Sequence, residues 1–262
     1  GESDVKEKIK KIINDHEKVE LATKKGKANF WINIFNEFVY FTLPLQEEEC
    51  RPLTKQIDLL RGDKFFKASL LDQLKYLIKW NHFDTLENSD NNFDISPIKV
   101  EIQLDGSDRW RDVTNMDFAF DPEDNRSKKG LFYNKYKIRI TNVSEEPVYV
   151  GVLTLNSDFS ITSKPFDRQV IELNSNESKF FYDHTKSGLA YCSLDQYKEI
   201  YNWKYEWFHY KFIVNNFEDF TPSLPDFCQP ALDTPLVIDK KTRKFTSKRE
   251  EGFAEELEEV RK

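Results

Sequence analysis

The sequence predicts a mainly β chain with helical attachments, an α+β fold in which an antiparallel β-sandwich follows an N-terminal helical and mixed region. Three observations predict it. The hydrophobic period changes to two from residue 97 onward, the two-period runs are short and bounded by turn residues, and they are rich in β-branched and aromatic side chains. Short strands with one polar face favour an antiparallel sandwich over a parallel sheet, whose strands are apolar on both faces.

The elements follow in order. Residues 4–14 read as a helix, with Val5, Ile9, Ile12 and Ile13 on one face and lysines on the others. Residues 30–35 are dense in aromatics, and periodicity does not decide between helix and strand there. Residues 38–43 lean to strand, and Glu47, Glu48 and Glu49 form a surface loop. Residues 63–80 carry an apolar stripe of Leu70, Leu71, Leu74, Leu77 and Ile78, with Asp63 as the expected N-cap. The polar stretch 87–92 ends this region.

Six strands are then expected. Ile98, Val100, Ile102 and Leu104 alternate with polar residues, as do Tyr136, Ile138 and Ile140. Val148, Val150 and Val152 make a third strand, residues 170–173 a fourth, 180–182 a fifth and 207–214 a sixth. Turn residues at 105–107, 142–147, 156–158 and 174–177 separate them. Ser193 and Gln196 have capping-box spacing for a short helix over 193–203. The expected organisation is therefore a helical and mixed region over 1–92, the sandwich over 93–237, and a charged C-terminal helix or tail over 238–262, where Phe253, Leu257 and Val260 give a thin apolar stripe.

Composition narrows the functional classes. With 22 Phe and 11 Tyr in 262 residues the chain has the aromatic area that a packed core needs. A net charge of −7 argues against nucleic acid as a partner, because phosphate neutralisation needs clustered Lys and Arg. No run approaches the roughly 18 apolar residues of a membrane span. Cys50, Cys192 and Cys228 are odd in number and scattered, which describes neither a disulfide framework nor a zinc site, so reduced thiols and a cytoplasmic location are expected. Gly1 stands first, Met116 is the sole Met, and the chain ends in a charged pattern, so a fragment of a longer protein is expected.

Chemistry-bearing constellations are sparse. A thiol nucleophile needs a neighbouring imidazole, and His184 with Cys192 is the nearest pair in sequence, in an expected loop; such residues are far more often structural. Cys228 reads as a small buried hydrophobe. The acidic group Asp121, Glu123 and Asp124 lacks the Gly and distal Glu of a calcium loop. No catalytic, metal or cofactor residue is assigned, and no cofactor is expected. The group of Tyr197, Tyr201, Trp203, Tyr205, Trp207, His209 and Tyr210 is the one feature that marks a binding face, since Trp and Tyr anchor interfaces and stack on sugars. The blander expectation, and the weightier, is that alternate members fill the core: Trp207 and His209 share one strand face, Phe208, Tyr210 and Phe212 the other. Tyr201, Trp203, Tyr205 and Trp207 are the candidate interaction residues.

Two stretches carry a family resemblance. One comprises Tyr136-Lys137-Ile138-Arg139-Ile140-Thr141-Asn142, then Pro147-Val148-Tyr149-Val150-Gly151-Val152-Leu153 and Asn156-Ser157-Asp158-Phe159-Ser160-Ile161. The other comprises Tyr210-Lys211-Phe212-Ile213-Val214, then Phe220 and Gln229-Pro230-Ala231-Leu232. Their order resembles the β-rich region that lies C-terminal to the protease domain in some bacterial caspase-like proteins, and spans roughly residues 98–235. The protease signature is missing, and none of the four His is followed by Gly, so no catalytic residue carries over. The resemblance implies an accessory, non-enzymatic role: regulating, positioning or being acted on by a caspase-like protease in a bacterial signalling or defence system. As a substrate, the chain would offer basic sites at 125–129 and 240–249. The competing expectations are a glycan-binding sandwich and an enzyme with an unrecognised Cys/His site.

Overall fold

The computed structural model describes residues 2–22, 27–35, 37–42, 54–86, 95–114, 116, 133–156, 159–193, 208–216, 224–230, 232, 237–238 and 245–246. They fall into two compact units, one containing residues 1–81 with the C-terminal residues from 232, the other residues 82–198 and 204–231. The fold is mainly β with helical attachments, and its larger unit is an antiparallel sandwich.

In the first unit, helix α1 (Glu2–Asn14) buries Ile9, Ile12 and Ile13, the face that its sequence marks. Strands β1 (Trp31–Phe35) and β2 (Phe38–Thr42) form an antiparallel pair, and β3 (Ile57–Asp58) adds to β2. The aromatic run at 30–35, undecided by periodicity, is thus a strand. Helix α2 (Asp63–Thr85) buries Phe66, Leu70, Leu74, Leu77 and Trp80 in this unit. Leu71 and Ile78 flank that line and stay partly exposed. Asp63 is not the N-cap: the Gly62 carbonyl accepts the Phe66 N–H at 3.0 Å, so Asp63 is the first helical residue. There its carboxylate suits the helix dipole and pairs with Lys8 of α1. In the C-terminal segment, β13 (Val237–Ile238) and β14 (Phe245–Thr246) pair antiparallel; residues 247–262 lie outside the described set.

The sandwich has two sheets. The first is centred on β6 (Tyr133–Asn142), which pairs along its length with β4 (Ile98–Leu104) on one side. On the other side β10 (Ser178–Phe180) and β11 (Ala190–Ser193) share it. The two-residue β5 (Arg111–Asp112) lies beyond β4. The second sheet is centred on β7 (Val148–Asn156), with β12 (Phe208–Asn215) along one edge and β9 (Val170–Leu173) and β8 (Ile161–Thr162) on the other. The inner rows meet as one core that includes Val100, Ile138 and Ile140 of the first sheet and Val148, Val150 and Val152 of the second. Period-two alternation is what delivers these residues to one face.

Two further expectations change in detail. The expected strand 180–182 is 178–180; Tyr182 sits in the following turn with φ 57°, its N–H bonded to the Pro165 carbonyl at 2.7 Å. The expected loop around Cys192 is strand β11. The sixth strand is Phe208–Asn215, Trp207 lying outside the described residues, and β5 and β8 are strands that sequence periodicity does not announce. The expected helix at 193–203 lies outside the described residues beyond Ser193, which ends β11.

Candidate interaction surface

Strand β12 has eight residues, FHYKFIVN, a run of aromatic and β-branched side chains that suits a pleated surface. It pairs with β7 over its whole length, from Phe208 opposite Asn156 to Asn215 opposite Tyr149. Phe208, Tyr210, Phe212 and Val214 pack on the sandwich core, so the expectation that alternate aromatics fill the interior holds for these residues. They do not close it. Each stays partly exposed, whereas Val148, Val150 and Val152 on the adjacent strand are at most 1% exposed. Among the described residues, the inward row of β12 is therefore less completely covered than that of β7.

Among the described residues, the other edges of the sandwich are short or partly capped by local structure. The Val100 N–H donates to Thr114 Oγ1 at 2.8 Å and its carbonyl accepts the Val113 N–H at 2.9 Å, while β5 covers the next two residues of β4. Beyond β8, Gln229 exchanges two backbone bonds with Ile161, both 3.0 Å, and its side chain donates to the Phe159 carbonyl. The edges at β10 and β11 are three and four residues long. Short, capped edges are how sheets avoid unplanned pairing. The eight-residue β12 has no further strand beside it among the described residues.

The outward row of β12 carries His209, Lys211 and Ile213, opposite Leu155, Leu153 and Gly151 of β7. Leu153 and Leu155 are buried, so this face of the second sheet is covered too. The last turn of α2 lies against it, where Asp84 pairs with the Nδ1 atom of His209. Phe83 packs 4.9 Å from Phe227 of the one-turn helix α3 (Leu224–Phe227). Lys211 has no ion-pair partner among the described residues.

On the inward row, the Tyr210 and Tyr136 hydroxyls lie 3.2 Å apart, and Tyr182 adds a third phenol to this cluster. Burial pushes the Tyr210 phenol well above its ordinary value, and the two neighbouring phenols push it further.

A second polar cluster lies on the outer face of the first sheet. Glu101 is 8% exposed, with Oε2 accepting from Arg139 Nε and Nη2 at 3.0 and 2.7 Å and Oε1 accepting from Lys99 at 2.9 Å. The Arg139 guanidinium stacks 4.3 Å from the ring centre of Trp110, which neighbours Phe180 at 5.9 Å. Burial works to raise the Glu101 pKa, but the bonds from Lys99 and Arg139 outweigh it and hold the carboxyl below its ordinary value.

Of the residues singled out in the sequence, Tyr201, Trp203, Tyr205 and Trp207 lie outside the described set, as do Asp121, Glu123 and Asp124 and the basic stretch 125–129. His184 sits in the turn after β10, its Nδ1 3.9 Å from the adjacent Asp183 carboxylate, while Cys192 belongs to β11. Cys228 is partly rather than fully buried, its Sγ 3.5 Å from both Ser163 Oγ and the Leu224 carbonyl. Among the described residues no three His, Cys, Asp or Glu are grouped to hold a metal, and no helix is long and apolar enough to cross a membrane. The Glu101–Arg139–Trp110 cluster went unread in the sequence. The alternation that places Glu101 opposite Arg139 was visible, but the pairing of the two strands was not. No family model, curated protein or solved structure matches this chain.

Proposed function

We propose that this chain is a non-enzymatic protein-interaction module that takes up an extended segment of a partner protein along β12. The observation that carries this reading is the contrast between the sandwich edges among the described residues: the others are short or capped, whereas β12 is long and leaves its core-facing apolar side chains only partly buried. An added strand would extend the ladder and cover that row, the mode known as β-augmentation. The expected interaction residues 201–207 immediately precede β12 in sequence. The first partner class to try is a caspase-like protease, on the strength of the sequence resemblance alone.

Backbone hydrogen exchange on the chain with and without such a purified protease tests the reading. Protection should appear at alternate amides within 208–215, those facing away from β7. Two proline variants, Ile213→Pro and Val214→Pro, identify the edge. Successive residues of an antiparallel strand direct their N–H groups to opposite sides, so only one variant removes a bond to β7. The variant that folds should lose partner binding. Binding that leaves β12 exchange unchanged would place the interface elsewhere, and retained binding in the folded proline variant would refute the reading.

A further inference from the structure

We infer that the segment accepted at β12 is apolar at alternate residues and carries an acidic residue facing Lys211. This rests on the edge-strand reading above and adds the chemistry of the partner. An incoming strand continues both rows of β12. On the inner side it meets Phe208, Tyr210, Phe212 and Val214, so its inward residues are apolar. On the outer side it meets His209, Lys211, Ile213 and Asn215. His209 already has Asp84 as its partner, and across β7 the outer row presents Tyr149, Gly151, Leu153 and Leu155, none of them charged. Lys211 is therefore the unsatisfied charge of the row. It is partly buried, where an added strand would remove it further from water.

A carboxylate on the adjacent strand resolves that cost, since opposite charges directly across a strand pair attract and like charges repel. A second copy of the chain does not resolve it. Antiparallel self-pairing of β12 sets Lys211 against its own counterpart, or, two residues along, against Ile213, and leaves two cations unpaired.

The test uses the full chain and three eight-residue, end-capped peptides of alternating Val and Thr: one unchanged, one with a central Thr replaced by Glu, one with it replaced by Lys. Titration by fluorescence anisotropy should rank the Glu peptide tightest and the Lys peptide weakest, with a spread of roughly threefold to tenfold. The Lys211→Glu variant should invert the order, and the folded proline variant should abolish binding of all three. Equal affinities for the three peptides would overturn the acidic preference while leaving the edge reading intact. Failure of every peptide, with a dimer in light scattering that the proline variant dissociates, would assign the edge to a second copy and overturn this inference. Failure of every peptide by a monomer would refute the edge reading itself.

Discussion

Replacing Arg139 by Met should destabilise the sandwich by about 2 kcal/mol, and replacing Glu101 by Met should cost only about half as much. The reasoning starts from the unequal exposure of the three charges. Glu101 is 10% exposed at its side chain, Arg139 29% and Lys99 41%. Hydrogen bonds to charged groups contribute about 1.5–3 kcal/mol, and removing one partner leaves the desolvated group behind. Arg139→Met takes away two bonds to Oε2 and the stack on Trp110, leaving a buried carboxylate with Lys99 alone. Glu101→Met strands two cations, but both reach water and are solvated there, so the loss is discounted to about 1 kcal/mol.

The double variant should cost about 1 kcal/mol, because two apolar side chains satisfy each other where one charge cannot. Urea unfolding at pH 7 measures all four proteins, with midpoints compared at constant slope. A double-variant loss equal to the sum of the two single losses would refute the reasoning, as would an Arg139→Met loss smaller than that of Glu101→Met. Acid provides an independent check. A carboxyl held below its ordinary value of 4.5 contributes stability that is complete above that value and is lost as pH falls through the lower, folded-state value. The stability difference between the native chain and Glu101→Met should therefore shrink as the solution is acidified below about 4.5.

Three further outcomes are expected. Asn142, fully buried, donates to the Glu146 and Leu173 carbonyls at 2.8 and 2.9 Å and accepts from Ser144 N at 2.9 Å; Asn142→Asp turns a donor into an anion facing two carbonyls and should cost at least 3 kcal/mol at pH 7 in thermal or urea unfolding, with partial recovery on acidification. Phe159 is fully buried with φ 63°, so Phe159→Gly relieves about 1 kcal/mol of backbone strain but forfeits about 3–5 of burial; a net gain in urea midpoint would contradict this weighing. Tyr210, raised by burial, stays protonated in the fold at a pH where the unfolded chain ionises, so stability should hold up to about pH 10 and decline above it, less steeply in Tyr210→Phe.

Where one face of an element carried an unbroken period, the sequence was enough. Residues 98–104, 170–173 and the α1 face come out as the alternation and spacing imply, because burial of one row decides the element. It was too little for β5 and β8, each two residues long, which exist only because a neighbouring strand offers bonds. Strand β11 reads as loop for the same reason: AYCS has no period of its own and is held by residues 133–136 of β6. In α2 the spacing names Leu70, Leu74 and Leu77, which are buried, together with Leu71 and Ile78, which stay partly exposed, because a hydrophobic stripe does not mark where burial along its flanks ends. The turn at 142–147 was legible as a turn, but not as a junction in which one Asn side chain ties β6 to β9. For the interaction surface, alternation in β12 gave the inward row; which strand would lie at the edge was not in the sequence at all, since edges are a property of sheet order.

Lys211 bears on both sides of that edge. A lysine in the middle of an exposed strand is a common device against uncontrolled pairing, because each added copy brings the same charge. The neighbouring residues do nothing else to blunt the strand: 208–215 contains no Pro or Gly, and its inward row is aromatic or β-branched throughout. With His209 already paired with Asp84, Lys211 is the charge on the described outer row that opposes self-pairing. On the proposed edge reading, the same charge would discriminate among partners by a difference in affinity, penalising a basic or neutral strand and favouring an acidic one. Removal of Lys211 should then have two separable effects: a weaker preference for acidic segments, and a stronger tendency of the chain to associate with itself. A module whose edge was merely left over from folding would show the second effect without the first.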